Sequence, residues 1–347
     1  MLVAISVGFV TASRLVVQQR FEEAQNDPAA AEALFALAEA TNEHAIRLAA
    51  VQRVGEALAA AEESVRLYRE LAGKDPAHAR RLATALLGLA NRQASVGLHW
   101  QALDADAEAV GVLRGLQRDD PGARLEFGRA LSHLSSDLGR FERIDEALGA
   151  AEGAVSILEP LFAATDHPEI GAELAGAYTN FSNRLTDAGR QDAALEATKQ
   201  AVAVYRRIAE DTPDAYAPKL GEALANVALD LRNAGAPADA LAAASEAVAI
   251  FRGLAARAPG IFDYGLSHAL NSLALALADL GRLDEALDAG REVVGLRRGL
   301  AARNPAFDEK LVSALHNLSI DLGAAGREEE AQAARTEVQA IVARTQD

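Results

Sequence analysis

The chain predicts an all-α solenoid of antiparallel helix hairpins, and three observations carry that prediction. The first is a fixed repeat. An alanine recurs at Ala57, Ala102, Ala147, Ala194, Ala240 and Ala286, at intervals of 45, 45, 47, 46 and 46 residues, and a further step of 45 reaches Ala331. Leucine follows each of the first six; Gln332 follows the last. Self-similarity at this period means one supersecondary unit stacked many times. The second observation is composition: 50% of the 347 residues are hydrophobic but only 5% aromatic, which suits closely packed helices of Ala, Leu and Val. The third is spacing, since apolar residues recur at helical intervals with no strand-like alternation.

At the N-terminus, residues 2–13 carry no charge, but Arg14 interrupts the run. That is well short of the ~20 apolar residues needed to span a bilayer. Three roles stay open for this segment. Residues 20–34 parallel 68–82, as the second helix of an incomplete repeat or a docking helix would. A membrane-proximal segment and a cleaved signal peptide are the others, the latter because Val10-Thr11-Ala12 resembles a small-residue cleavage site, although no positive stretch precedes it. The expected boundary lies between an N-terminal element at 1–27 and an array over 28–347, with docking of a partner or of the chain itself through residues 1–20.

Residues 213–258 illustrate the unit. Pro213 turns the preceding residue away from helix. Leu220, Leu224, Val227, Ala228 and Leu231 then make the stripe of a first helix. Gly235 suits the left-handed conformation that closes a helix, and Pro237 fits the first turn of the next. Ala240, Leu241, Ala244, Ala247, Val248, Phe251 and Leu254 form the second stripe, ended by Pro259. Across the copies, the small residue of the first helix is Ala90, Ser135, Ser182, Ala228, Ala274 and Ser319, facing the alanine markers. Small residues at a crossing let two backbones approach toward the short end of the ~8–10 Å range. Gly97, Gly189, Gly235, Gly281 and Gly326 mark the turns; Glu142 stands there in the third copy, so that turn is expected to differ. Pro76, Pro121, Pro168, Pro213, Pro259 and Pro305 mark the joints, with two extra residues before Pro168. Gln332, Arg335 and Gln339 make the last helix polar where other copies are apolar or small, as in a capping helix.

These residues resemble the tetratricopeptide repeat (TPR) family. Its pattern is met by Leu224, Val227, Ala228, Leu231, Ala240, Leu241, Ala247 and Pro259, and other copies match similarly over about residues 28–347. The period exceeds the usual 34, and the extra length lies in the second helix, about two turns longer. That variety is similar to kinesin-light-chain-type repeats and to long arrays in actinobacterial, hence bacterial, signalling proteins. The resemblance implies a right-handed superhelix of about six repeats plus an N-terminal helix, non-enzymatic, binding a protein or peptide in its concave groove as a scaffold.

Chemistry is sparse. There is no phosphate-binding glycine loop, no HExxH and no GxSxG. The seven histidines lack metal-ligand spacing, and no cofactor or metal is expected. A net charge of −16 argues against nucleic acid. The absence of cysteine excludes disulfides and is compatible with a cytoplasmic location. Trp100, at the start of a second helix, reads as a packing or rim residue.

The groove is where the residues say more. In the resembled family an Asn on the first helix can bond the main chain of an extended peptide. That position reads Gly88, His133, Asn180, Asn226, Ser272 and Asn317, and one turn on Asn91, Ser136 and Asn183 are polar while Leu229, Leu275 and Ile320 are apolar. Asn costs a few tenths of a kcal/mol in mid-helix, about what Ala would save, so its recurrence needs a reason. One is main-chain recognition, since each amide both donates and accepts; the other is bridging between adjacent helices. Arg129, Arg184 and Arg232 nearby add positive charge that would admit an acidic partner. Asn180, Asn183, Asn226, Asn317, His133, Arg129, Arg184 and Arg232 are therefore the candidate peptide-binding residues. The rival readings are the sensor portion of a larger signalling ATPase or protease, and a membrane-anchored assembly factor.

Overall fold

The computed structural model describes residues 13–22, 31–118 and 120–346, and every element in them is helical. The uncharged run at 2–12 and the boundary at 27/28 lie outside the described residues. The chain packs as two compact units that divide between Thr165 and Asp166, at the joint lengthened before Pro168.

The first unit begins with α1 (13–22), whose Ser13 hydroxyl lies 2.7 Å from His44 Nδ1. Three hairpins follow: α2 (Ala31–Ala50) with α3 (Val54–Lys74), α4 (Ala79–Ser95) with α5 (His99–Leu116), and α6 (Pro121–Arg140) with α7 (Ile144–Thr165). A 3₁₀ turn at Pro76–His78 precedes α4, capped by the Asp75 carboxylate, which accepts from the Ala77 amide at 2.9 Å. Among the described residues α7 has the length and composition to cross a bilayer. Its Ala147, Ala150, Ala151, Ala154, Leu158 and Phe162 are nevertheless buried, and it packs on α6.

The second unit holds four hairpins: α8 (Pro168–Asp187) with α9 (Gln191–Asp211), α10 (Pro213–Asn233) with α11 (Pro237–Arg257), α12 (Asp263–Asp279) with α13 (Leu283–Arg303), and α14 (Asp308–Ala324) with α15 (Glu328–Gln346). The described residues thus form seven hairpins, six around the Ala-Leu markers and the last around Ala331. Within each unit a second helix also packs on the first helix that follows it, as α9 does on α10 and α11 on α12. This nearest-neighbour packing defines a solenoid.

The crossings are as close as the small residues imply. Ala57, Ala102, Ala147, Ala240, Ala286 and Ala331 are all 0% exposed. One aromatic ring enters where the facing backbone makes room: the buried Phe251 ring of α11 lies between Gly221 of α10 and Gly265 of α12, over the space that a Cβ would need at either.

Each interhelical turn has the same construction. Arg53, Leu98, Arg143, Arg190, Ala236, Arg282 and Arg327 each donate their backbone N–H to the carbonyl five residues earlier, and the residue just before each has positive φ. This is the Schellman closure, which satisfies helix-end carbonyls at the cost of one left-handed residue. Gly97, Gly189, Gly235, Gly281 and Gly326 supply it at φ of 70–81°. Glu142 does so at φ 58°, and Gln52 in the first turn at φ 61°. The third turn therefore does not differ: Glu142 adopts the glycine conformation, because the 6→1 bond from Arg143 to Leu138 fixes the backbone path.

The solvent face of the second helices carries a ladder of ion pairs. Arg69 meets Glu108, Arg206 meets Glu246, Arg252 meets Glu292 and Arg298 meets Glu337, at 2.7–2.9 Å. All are exposed, so each contributes only about 0–1 kcal/mol.

Candidate functional site

In the second unit α12 packs on α10, α8 and α10 line a common cleft, and α14 reaches α12 through a side-chain bond, so residues one repeat apart fall in rows across the first helices. The row of Asn180 and Asn226, with Asn183 one turn on, faces a cleft between α8 and α10. One hollow of about 200 Å³ is lined by Thr179, Ser182, Asn183, Thr198, Asn226 and Asp230, among others. A second of about 230 Å³ is lined by Asn180, Tyr205, Lys219 and Glu222 and shares Thr179, Ala223 and Asn226 with the first. The two hollows therefore adjoin. Asn183 is exposed, whereas Asn180 and Asn226 are half-buried.

The floor of the cleft is a polar relay. The Ser182 and Thr198 hydroxyls stand 2.7 Å apart, and Thr198 donates to the Asp230 carboxylate at 2.8 Å. This chain joins α8, α9 and α10 and fixes their relative heights. The walls thus offer amide donors and acceptors above a hydroxyl–carboxylate floor, a surface suited to hydrogen-bonding an extended main chain.

The other candidates are placed differently. Asn317 donates through Nδ2 to Asn271 Oδ1 at 3.3 Å, so it bridges α14 and α12. Arg184 pairs with Asp187 on its own helix at 3.3 Å, and Arg232 pairs with Asp279 of α12 at 2.5 Å. Both guanidinium groups thus have an intramolecular carboxylate partner. Arg129 and His133 lie half-buried on α6, in the first unit. Asp321 of α14 stands beyond the Arg232–Asp279 pair; burial and the Asp279 charge raise its pKa, and Arg232 opposes them. Among the described residues no three histidine, aspartate or glutamate side chains converge as a metal-ligand set.

A second polar feature lies in the first unit. Asp106 of α5 is 2% exposed, and its Oδ1 has no hydrogen-bond partner. Burial, and then the neighbouring Asp137 of α6, push its pKa up to about 8. Asp137 is itself raised by burial, with Arg140, His99 and His133 pulling the other way. Asp106 and Asp137 occupy the repeat positions held in the second unit by Thr198 and Asp230, four residues after the alanine marker and two after the small residue.

The tetratricopeptide repeat family model matches residues 174–214 and 266–301. No curated protein matches the chain. Among solved structures, the signal-transduction ATPase with a tetratricopeptide repeat sensor from Pyrococcus horikoshii is similar at 15% identity and TM-score 0.55, over 87% of this chain and 45% of that one. Aspartyl phosphate phosphatase F from Bacillus subtilis is similar at 13% identity and TM-score 0.54, over 91% and 73%. A variant of a kinesin light chain-like protein of Podosopora anserina, built of nearly identical TPR-like repeats, is similar at 20% identity and TM-score 0.48, over 63% and 95%. At these identities the likeness is one of fold.

Proposed function

We propose that this tetratricopeptide repeat solenoid is a non-catalytic scaffold that binds an extended peptide segment of a partner protein in the cleft between α8 and α10. The observation that carries this reading is the convergence of Asn180, Asn183 and Asn226 on two adjoining hollows that share Thr179 and Asn226. An extended strand presents an N–H and a C=O at each residue, and each left unpaired on burial costs about 1–3 kcal/mol. Amides on adjacent helices answer both needs. A second reading, the sensor portion of a larger signalling protein, draws on the Pyrococcus horikoshii protein, whose repeats serve as a sensor. The two are compatible, because a sensor also has to bind something.

The test is selection of peptides from a random library on the immobilised protein, followed by affinity measurement on an Asn183→Ala/Asn226→Ala variant. Ala is the better helix former, so the variant should melt at or slightly above the parent temperature. The selected peptide should lose at least tenfold in affinity. Unchanged affinity in a folded variant would remove the cleft as the binding site.

A further inference from the structure

Beyond the asparagine cleft the surface of the second unit changes character. The position occupied by Asn183 on α8 becomes Leu229 on α10, Leu275 on α12 and Ile320 on α14. Leu229 lines the cleft itself, Leu275 is half-buried, and Ile320 is 56% exposed. That is an apolar row crossing three neighbouring first helices, whose proximity is fixed by the Arg232–Asp279 and Asn317–Asn271 bonds. A single exposed isoleucine is ordinary, but here it continues a row with two half-buried leucines, and contiguous apolar surface marks a place for a partner.

Beside this row runs a second one, of carboxylates. Asp230 follows Leu229 directly, Asp321 follows Ile320 directly, and Asp279 lies one turn beyond Leu275. One guanidinium, Arg232, stands near Asp279 and Asp321, and it pairs with Asp279. Asp230 has the Thr198 hydroxyl and no ion pair among the described residues, and Asp321 has none either. The border of the apolar row is therefore short of positive charge.

We propose that this surface takes a segment with an apolar residue at every third position and a lysine or arginine next to it, the apolar ones on Leu229, Leu275 and Ile320 and the cations against Asp230 and Asp321. The proposal rests on the groove reading above and adds its charge preference. Neighbouring helices lie ~10 Å apart, and a polyproline II segment advances ~3.1 Å per residue with three residues per turn, so every third side chain faces the same way and matches one repeat. A basic partner approaching a protein of net charge −16 is also steered toward it, and more strongly at low salt.

Two fluorescent nonapeptides test this, three copies of Leu-Lys-Ala and three of Leu-Glu-Ala, titrated with the full chain at low and at physiological ionic strength. The basic peptide should bind at least tenfold more tightly than the acidic one. Asp230→Asn/Asp321→Asn should reduce that affinity at least tenfold; the amide oxygen that replaces the Asp230 carboxylate can still accept from Thr198, which spares the fold. Asp239→Asn/Asp284→Asn, which removes the same charge from the starts of α11 and α13, should change it less than twofold. Equal binding of both peptides, or equal loss in both double variants, overturns the charge preference while leaving the groove. Binding of neither peptide overturns the groove reading together with this one.

Discussion

The Ser135 hydroxyl of α6 donates to the carbonyl of Ala147 in α7 at 2.8 Å. The bond crosses the hairpin at its tightest point, and Ser182 reaches the carbonyl of Ala194 in the same way at 2.9 Å. Both ends are buried, so the hydroxyl needs that acceptor, while the carbonyl already serves its own helix.

Ser135→Ala should therefore cost at most about 1 kcal/mol, because Ala45, Ala90, Ala228 and Ala274 occupy the same place in other hairpins. Enlarging the opposite wall is a different matter. Ala240→Leu and Ala286→Leu, at sites that are 0% exposed, should each cost about 1–3 kcal/mol or more through overpacking. Asp284→Ala, in the solvated first turn of α13, should cost less than about 1 kcal/mol. Denaturant melts of the four variants check the order; an Ala286→Leu protein as stable as Asp284→Ala would place the crossing elsewhere.

The turns offer a paired experiment. Gly235 has φ 75° and nothing within 4 Å of a Cβ built on it, so Gly235→Ala measures the left-handed penalty alone, about 1–2 kcal/mol. Glu142→Gly relieves that penalty but frees the unfolded chain, so it should be neutral to stabilising by about 1 kcal/mol. Thermal melts decide, and a destabilised Glu142→Gly would mean that the side chain contributes a contact of its own.

Asp106 makes stability depend on pH. Its folded pKa, about 8, lies above the ordinary value near 3.9. Between these values the folded protein holds a proton that the unfolded chain releases, so stability falls as pH rises through the window and levels off above about 8. Asp106→Asn removes this loss. The variant should gain on the parent progressively from pH 5 to pH 9, by an amount on the order of a few kcal/mol at the alkaline end. Parallel melts across that range measure it, and a constant difference between the two proteins would mean that Asp106 is ionised in the fold.

Helices, crossings and five of the seven turns could be read from the sequence because each depends on residues close together in the chain. Glycine marks a left-handed turn only where glycine happens to be used, so Gln52 passed unnoticed and Glu142 looked like an exception. The units divide where two extra residues precede Pro168, a lengthening visible in the sequence whose effect on packing was not. The cleft was half legible. Asn180 and Asn226 stand in repeat register with Asn183 one turn on, but the acceptor of Asn317 is Asn271, one place off that register on the next helix. The partner of Arg232 is likewise 47 residues away. The buried Asp106 left a faint signal: its repeat position is Ala61, Ala151, Ala244 or Gly290 in four other copies, Thr198 in a fifth and Arg335 in the last, so a carboxylate there stands out in a mostly small column.

The arginine–glutamate ladder has a consequence for how such a chain can change length. The arginine stands twelve residues after one alanine marker and its glutamate six after the next, so α11 and α13 each carry both halves of the joint. Excising residues 213–258 would set Arg206 opposite Glu292 and Thr212 before Pro259, recreating a junction already in use. The same interchange fails at α7, where Gly153 takes the glutamate place opposite Arg114. The hairpins that end in α11 and α13 are therefore exchangeable parts, open to duplication and loss, whereas α7, with Gly153 and Glu159 at the two places, is not.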